Sequence, residues 1–196
     1  MNTLWFLDRS SGFVLLVLFT VSLTLGVLAT RRRNPTSPAR LLSQDLHVRV
    51  TSVALGLLVV HVVTAVLDSY VDITAIDVLV PFRGGYRPFW LGLGTLAVDL
   101  ILLVLLTTFI RARVQERTWR VFHVLSYAAW AMSLFHAFGS GTDARTWWGL
   151  SIIIGSAVVG LGASLWRLYI VLSGANTIGS PPVAGHDAHK GEVSLS

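Results

Sequence analysis

The sequence predicts an all-α integral membrane protein, a bundle of five transmembrane helices. Three observations carry that prediction. Of 196 residues, 54% are hydrophobic and only 13% charged, with a mean hydropathy of +0.69. Apolar runs of about 20 residues, the length that crosses a bilayer as a helix, alternate with short charged connections. Arginines crowd alternate connections, which gives each span a direction. Five spans leave no room for a soluble domain of even ~50 residues, so residues 1–172 read as one domain. Residues 173–196, small and polar, read as a disordered cytoplasmic tail.

The first span lies between Arg9 and Arg31, RSSGFVLLVLFTVSLTLGVLATR. A signal peptide would open on a basic region and end on a small-residue cleavage site. Here Asp8 and Arg9 precede the run and Arg31, Arg32 and Arg33 follow it, so the segment reads as an uncleaved span. Pro35 and Pro38 keep the helix from simply continuing into the next.

Span two is Val50–Leu67, entered through His47 and Arg49. It leaves through Asp68, Tyr70, Asp72 and Asp77 into the longest connection, which ends at Arg87. Loops of this length commonly carry structure of their own. ITAIDVLVPF predicts a short interfacial helix there, with Gly84-Gly85 as the turn after it. Span three, Pro88–Ile110, admits its proline in the first turn and carries one charge, Asp99, near its middle. A basic connection (Arg111, Arg113, Glu116, Arg117, Arg120) leads to span four, and the turn GSGTDAR to span five, Trp147 to about Leu165.

With the N-terminus outside, eleven Lys and Arg fall on the cytoplasmic side and four outside: Arg9, Arg83, Arg87 and Arg145. That is the positive-inside pattern, and it predicts N-out, C-in. Trp5, Trp90, Trp147 and Trp148 then mark the outer interface, Trp119 and Trp166 the inner one. The net charge of +5 is therefore a matter of topology and no sign of nucleic acid. With no cysteine, disulfides, iron–sulfur clusters and thiolate ligation are excluded.

Two spans carry histidines. HVRVTSVALGLLVVHVVTAVL holds His47 and His61; RVFHVLSYAAWAMSLFHAFGSG holds His123 and His136. Ionisable residues inside spans are rare and mark functional sites by default. Spans two and four run in the same direction, so His47 lies level with His123 near the cytoplasmic end. His61 lies level with His136 toward the outside. Spacings of 14 and 13 residues put the two levels roughly 20 Å apart at 1.5 Å per residue. Two imidazoles at each level suit two bis-histidine haem b groups held between spans two and four, with all four histidines as iron ligands.

Rotation is less accommodating. Fourteen residues return to within about 40° of one helix face, but thirteen miss it by about 140°. Span four must kink, carry a π-bulge, or meet its two partners from different sides. That makes His136 the least secure of the four. His186 and His189, in the polar tail, have no predicted ligand role.

These stretches resemble the ferric-reductase-like transmembrane domain, the haem-bearing core shared by ferric reductases, NADPH oxidases and the membrane subunit of a bacterial methionine sulfoxide repair system. The resemblance covers about residues 4–170. It rests on HVRVTSVALGLLVVH, WRVFHVLSYAAWAMSLFH and the opening WFLDRSSGFVLLVLFTVSLTLG. It implies two b-type haems passing electrons across the membrane, here a bacterial cytoplasmic one. The expected role is the membrane electron-transfer subunit of an oxidoreductase. Without the flavin and nicotinamide domains of the full-length reductases after the last span, the donor is expected to be a separate cytosolic flavoprotein or a membrane quinol. A partner would then supply the flavin or quinone. The acceptor is ferric iron or an external redox protein.

Two other readings differ in kind. A proton-coupled metal transporter would use the histidines as transient ligands, but would want more intramembrane carboxylates than Asp99 and inverted repeats. A haem-free membrane anchor would leave the histidine pairing to coincidence. Asp99 reads as a proton-relay group, as the partner of a histidine ring, or as a protonated hydrogen-bonder. Arg49 and Arg120 inside, and Arg9 and Arg83 outside, lie at depths suited to haem propionates. Tyr127, Trp130 and Phe135 fall between the two levels, where helix packing is their expected role.

Overall fold

The computed structural model describes residues 3–30, 37–68 and 71–177, and among these every regular element is a helix. Five helices are long and apolar enough to cross a membrane: α1 (Thr3–Thr30), α2 (Pro38–Leu67), α4 (Pro88–Phe109), α5 (Glu116–Ser140) and α6 (Trp147–Thr177). A short α3 (Ala75–Leu79) lies between α2 and α4. Below, the N-terminal end of the bundle means the end holding Thr3, Leu67, Pro88 and Ser140; the far end holds Thr30, Pro38 and Phe109.

Four helices exceed their predicted bounds, α5 by taking in Glu116, Arg117 and Arg120 from the basic connection before it. α1 begins at Thr3, so Asp8 and Arg9 sit inside the helix rather than ahead of it. Trp5, Phe6 and Leu7 are apolar and continue the run without a stop signal. α2 opens at Pro38, the first helical residue after Ser37. The proline thus starts this helix, where its missing N–H costs nothing. α6 continues through Thr177, so residues 173–177 are helical and not part of a disordered tail. Arg31–Arg33, His186 and His189 lie outside the described residues. At 28, 30 and 31 residues, α1, α2 and α6 are about 42–47 Å long, against ~30 Å of hydrocarbon core.

In the long connection α3 is closed by Thr74 and Asp77: the Thr74 backbone N–H and hydroxyl both donate to Asp77 Oδ2, at 2.9 and 2.7 Å. Thr95 Oγ1 then donates to the Asp77 carbonyl at 2.8 Å and ties α3 to α4. Phe82, at φ 66°, lies against Gly92, where any side chain would collide with it.

Packing is pairwise. α1 lies along α2, and α4 along α5, while α1 also touches α5 and α6. In membranes such contacts rest on small residues and interhelical hydrogen bonds, since lipid tails remove the hydrophobic drive between helices. Ser22 and Thr51 share a 2.6 Å hydrogen bond across α1 and α2. Trp130 is buried, donates to Thr20 Oγ1 at 2.9 Å, and packs on Gly160. It therefore joins α5 to α1 and α6 as a packing residue. Leu16, Ala144 and Ile153 form one buried cluster, with Phe13, Leu134 and Ala137 against it. Phe135 is 55% exposed and belongs to the apolar outer surface. The backbones of α2 and α5 stand apart.

Candidate functional site

Across the gap between α2 and α5 the histidines meet in pairs. His47 faces His123 with ring centroids 6.3 Å apart and planes at 72°. His61 faces His136 at 6.5 Å and 85°. Lower-numbered pairs with lower and higher with higher, so α2 and α5 run parallel.

Three of the four rings are held in the same way. His47 Nδ1 lies 2.8 Å from the Ser22 carbonyl and 3.2 Å from the Ser22 hydroxyl. His61 Nδ1 lies 2.9 Å from the Asp8 carbonyl, with the Ser11 hydroxyl and Asp8 Oδ1 each at 3.2 Å. His136 Nδ1 lies 2.8 Å from the Trp90 carbonyl and 3.1 Å from the Ser140 hydroxyl. A carbonyl only accepts, so each Nδ1 carries the hydrogen and each Nε2 keeps its lone pair.

Behind each of these rings is a glycine four residues after the residue whose carbonyl accepts from Nδ1. Gly26 follows Ser22, Gly12 follows Asp8, and Gly94 follows Trp90. A Cβ added there would stand 3.4 Å from the His47 ring, 3.1 Å from the His61 ring and 2.5 Å from the His136 ring. The glycine lets the imidazole press onto the neighbouring helix and reach a carbonyl that already serves the helix ladder. A carbonyl has two lone pairs and can accept both hydrogens.

His123 is different. Its Nδ1 is buried and has no hydrogen-bond partner among the described residues. Its ring instead stacks on Trp119, one turn back, at 4.9 Å and 26°. His136, the least secure of the four by rotation about the helix, is held by a carbonyl, a hydroxyl and a glycine seat. α5 is unbroken from Glu116 to Ser140. Within this unbroken helix His136 bonds to the Trp90 carbonyl of α4, while His123 stacks on Trp119 of α5 itself.

What two such imidazoles can do follows from their spacing. Centroids 6.3 and 6.5 Å apart would leave room for one metal ion between the rings of each pair, at metal–nitrogen bonds of about 2.0 Å. Among the described residues no three histidine, aspartate or glutamate side chains converge as a metal site. Each pair thus offers two donors.

A cavity of about 220 Å³ opens between α1, α2, α4 and α5, with His61 and His136 in its wall and Asp8, Arg9, Asp68 and Asp143 around it. Arg9 lies 2.9 Å from Asp143 Oδ2 and donates to Thr142 Oγ1 at 3.2 Å. Arg49 is paired with Asp45 at 2.7 Å and Arg120 with Glu116, both on exposed helix surface. Asp99 makes no hydrogen bond or ion pair among the described residues; the carboxylate that meets a histidine is Asp8. Sequence reasoning missed Asp8, Ser22, Trp90 and the three glycines. A signal existed: Gly12 and Gly26 are 14 residues apart, as are His47 and His61.

Among the described residues, an all-helical bundle with five helices long and apolar enough to cross a membrane and two facing imidazole pairs fits one class, the multi-pass helical membrane protein. The chain belongs to the family described as Domain of unknown function (DUF8596), whose model matches residues 3–143, a stretch that includes all four histidines. No curated protein and no solved structure matches it.

Proposed function

We propose that this protein is a di-haem b membrane cytochrome that passes electrons across the membrane, in the manner of the ferric-reductase-like transmembrane domains. The observation that carries the reading is the facing of two imidazole pairs at 6.3 and 6.5 Å between helices whose backbones stand apart. Two protein donors per level suit a macrocycle that brings four equatorial nitrogens of its own. Nδ1–H bonded to a carbonyl fixes the tautomer, aims the ring and raises the basicity of Nε2, as the outer shell of ligating histidines does. Gly12, Gly26 and Gly94 leave the rings room to sit back against α1 and α4.

When bound, the haems supply one-electron redox chemistry. The chain's part is to hold four ligands at two depths roughly 20 Å apart, in a low-dielectric shell. Positive-inside asymmetry orients it N-out in a bacterial cytoplasmic membrane. Electrons enter from a cytosolic flavoprotein or a quinol and leave to ferric iron or an external redox protein.

The test is spectroscopic. Purified protein should contain two haems per chain and show reduced α-bands of six-coordinate haem b. Ring planes at 72° and 85° should give the strongly anisotropic, large-gmax low-spin EPR signal of near-perpendicular imidazoles. A protein purified without haem after expression with ample haem supply defeats the proposal.

A further inference from the structure

The four rings are not equally held, and the exception lies at the far end of the bundle. His47, His61 and His136 each have a carbonyl on Nδ1 and a glycine behind the ring. His123 has neither: its Nδ1 is buried without a partner among the described residues. A buried ring nitrogen without a hydrogen-bond partner calls for an explanation. Among the described residues ring contacts orient this imidazole, Trp119 stacked on it and His47 facing it. Trp119 lies over it at 4.9 Å, held by its own Nε1 donating to Thr108 Oγ1 at 3.3 Å and by the Arg111 guanidinium 5.9 Å from its ring.

A ring anchored at Nδ1 cannot turn away from a metal without breaking that bond. A ring held by ring contacts alone swings about its χ angles with its partner ring as a guide, and its Nε2 is the less basic for want of a hydrogen-bond acceptor on Nδ1. We infer that His123 is an exchangeable ligand, and that the His47/His123 level is a binding site for a small neutral diatomic molecule, which enters opposite His47. The inference rests on the haem reading above. In the exchange His123 Nε2 would give up its place and the probe, carbon monoxide, would take it. No electron or proton moves.

Carbon monoxide difference spectra of the dithionite-reduced full chain test it. The expected result is one CO per two haems. In His61→Ala, which keeps only the far-end haem, all the remaining haem should respond. In His47→Ala, which keeps only the clamped pair His61/His136, binding should follow the CO-silent level of the wild type. Trp119→Ala should speed CO association about tenfold, on the scale of one lost aromatic stack, whereas Trp119→Phe should restore the wild-type rate. If wild-type protein with two haems binds no CO or two, the inference fails while the cytochrome reading stands. Binding confined to the His61/His136 level also overturns it. A protein without haem fails the earlier reading instead.

Discussion

His61 and His136 meet at one depth and His47 and His123 at another, with roughly 20 Å of helix between. Replacing one pair should therefore spare the other. His61→Ala or His136→Ala should lower haem content from two per chain to one, measured as pyridine haemochrome, and His47→Ala or His123→Ala should do the same at the other level. A His136→Ala protein that keeps two haems with an unchanged spectrum would refute the pairing. The glycine seats give a finer test. Gly94→Ala places a methyl 2.5 Å from His136 Nδ1, an overpacking that costs about 1–3 kcal/mol and should empty most of that haem level. Gly56→Ala, on α2 with nothing within 4 Å, should leave both haems in place. Alanine even gains about 1 kcal/mol in helix propensity there. Equal haem loss in both variants would show that the seats matter only as general helix packing.

Among the elements, α3 has the most local basis. It is only five residues long, too short to persist without its cap. Donation from the Thr74 hydroxyl and backbone N–H holds the Asp77 carboxyl below its ordinary value of 3.8. A carboxyl lowered in the folded state stabilises fully above the unfolded pKa, and the effect is lost as pH falls through the folded one. Amide exchange over residues 75–80, corrected for intrinsic rates, should be slow at neutral pH and faster once pH drops below 3.8. Asp77→Ala should show the fast exchange at every pH, with the five long helices unchanged. Slow exchange in that variant would mean that the bond from Thr95 to the Asp77 carbonyl, and not the cap, holds α3.

For the whole molecule, direction through the membrane would set which of the two proposed haem levels faces which side. The chain has no cysteine, so single cysteines at Ser37 and Thr142 report on the two ends of the bundle. In intact cells an impermeant thiol reagent should label Thr142→Cys and spare Ser37→Cys until the membrane is opened. Labelling of both from outside would remove the five-span arrangement, and labelling of Ser37→Cys alone would invert it.

Five helices and their order were legible because a span is a local property: some 20 consecutive apolar residues decide it, whatever lies elsewhere in the chain. The levels of the histidines were legible for the same reason, since rise per residue turns spacing into depth. The ends were less so. Pro38 reads as a stop from the helix before it and as a start for the helix after it, and only the fold shows which applies. The clamp was not legible at all, apart from the echo of the 14-residue histidine spacing in Gly12 and Gly26. Its acceptors are the backbone carbonyls of Asp8, Ser22 and Trp90. Every residue carries a carbonyl, so no side chain announces it. Which three of them an imidazole reaches depends on how α1 lies against α2 and α4 against α5, a relation between distant segments that hydropathy does not encode.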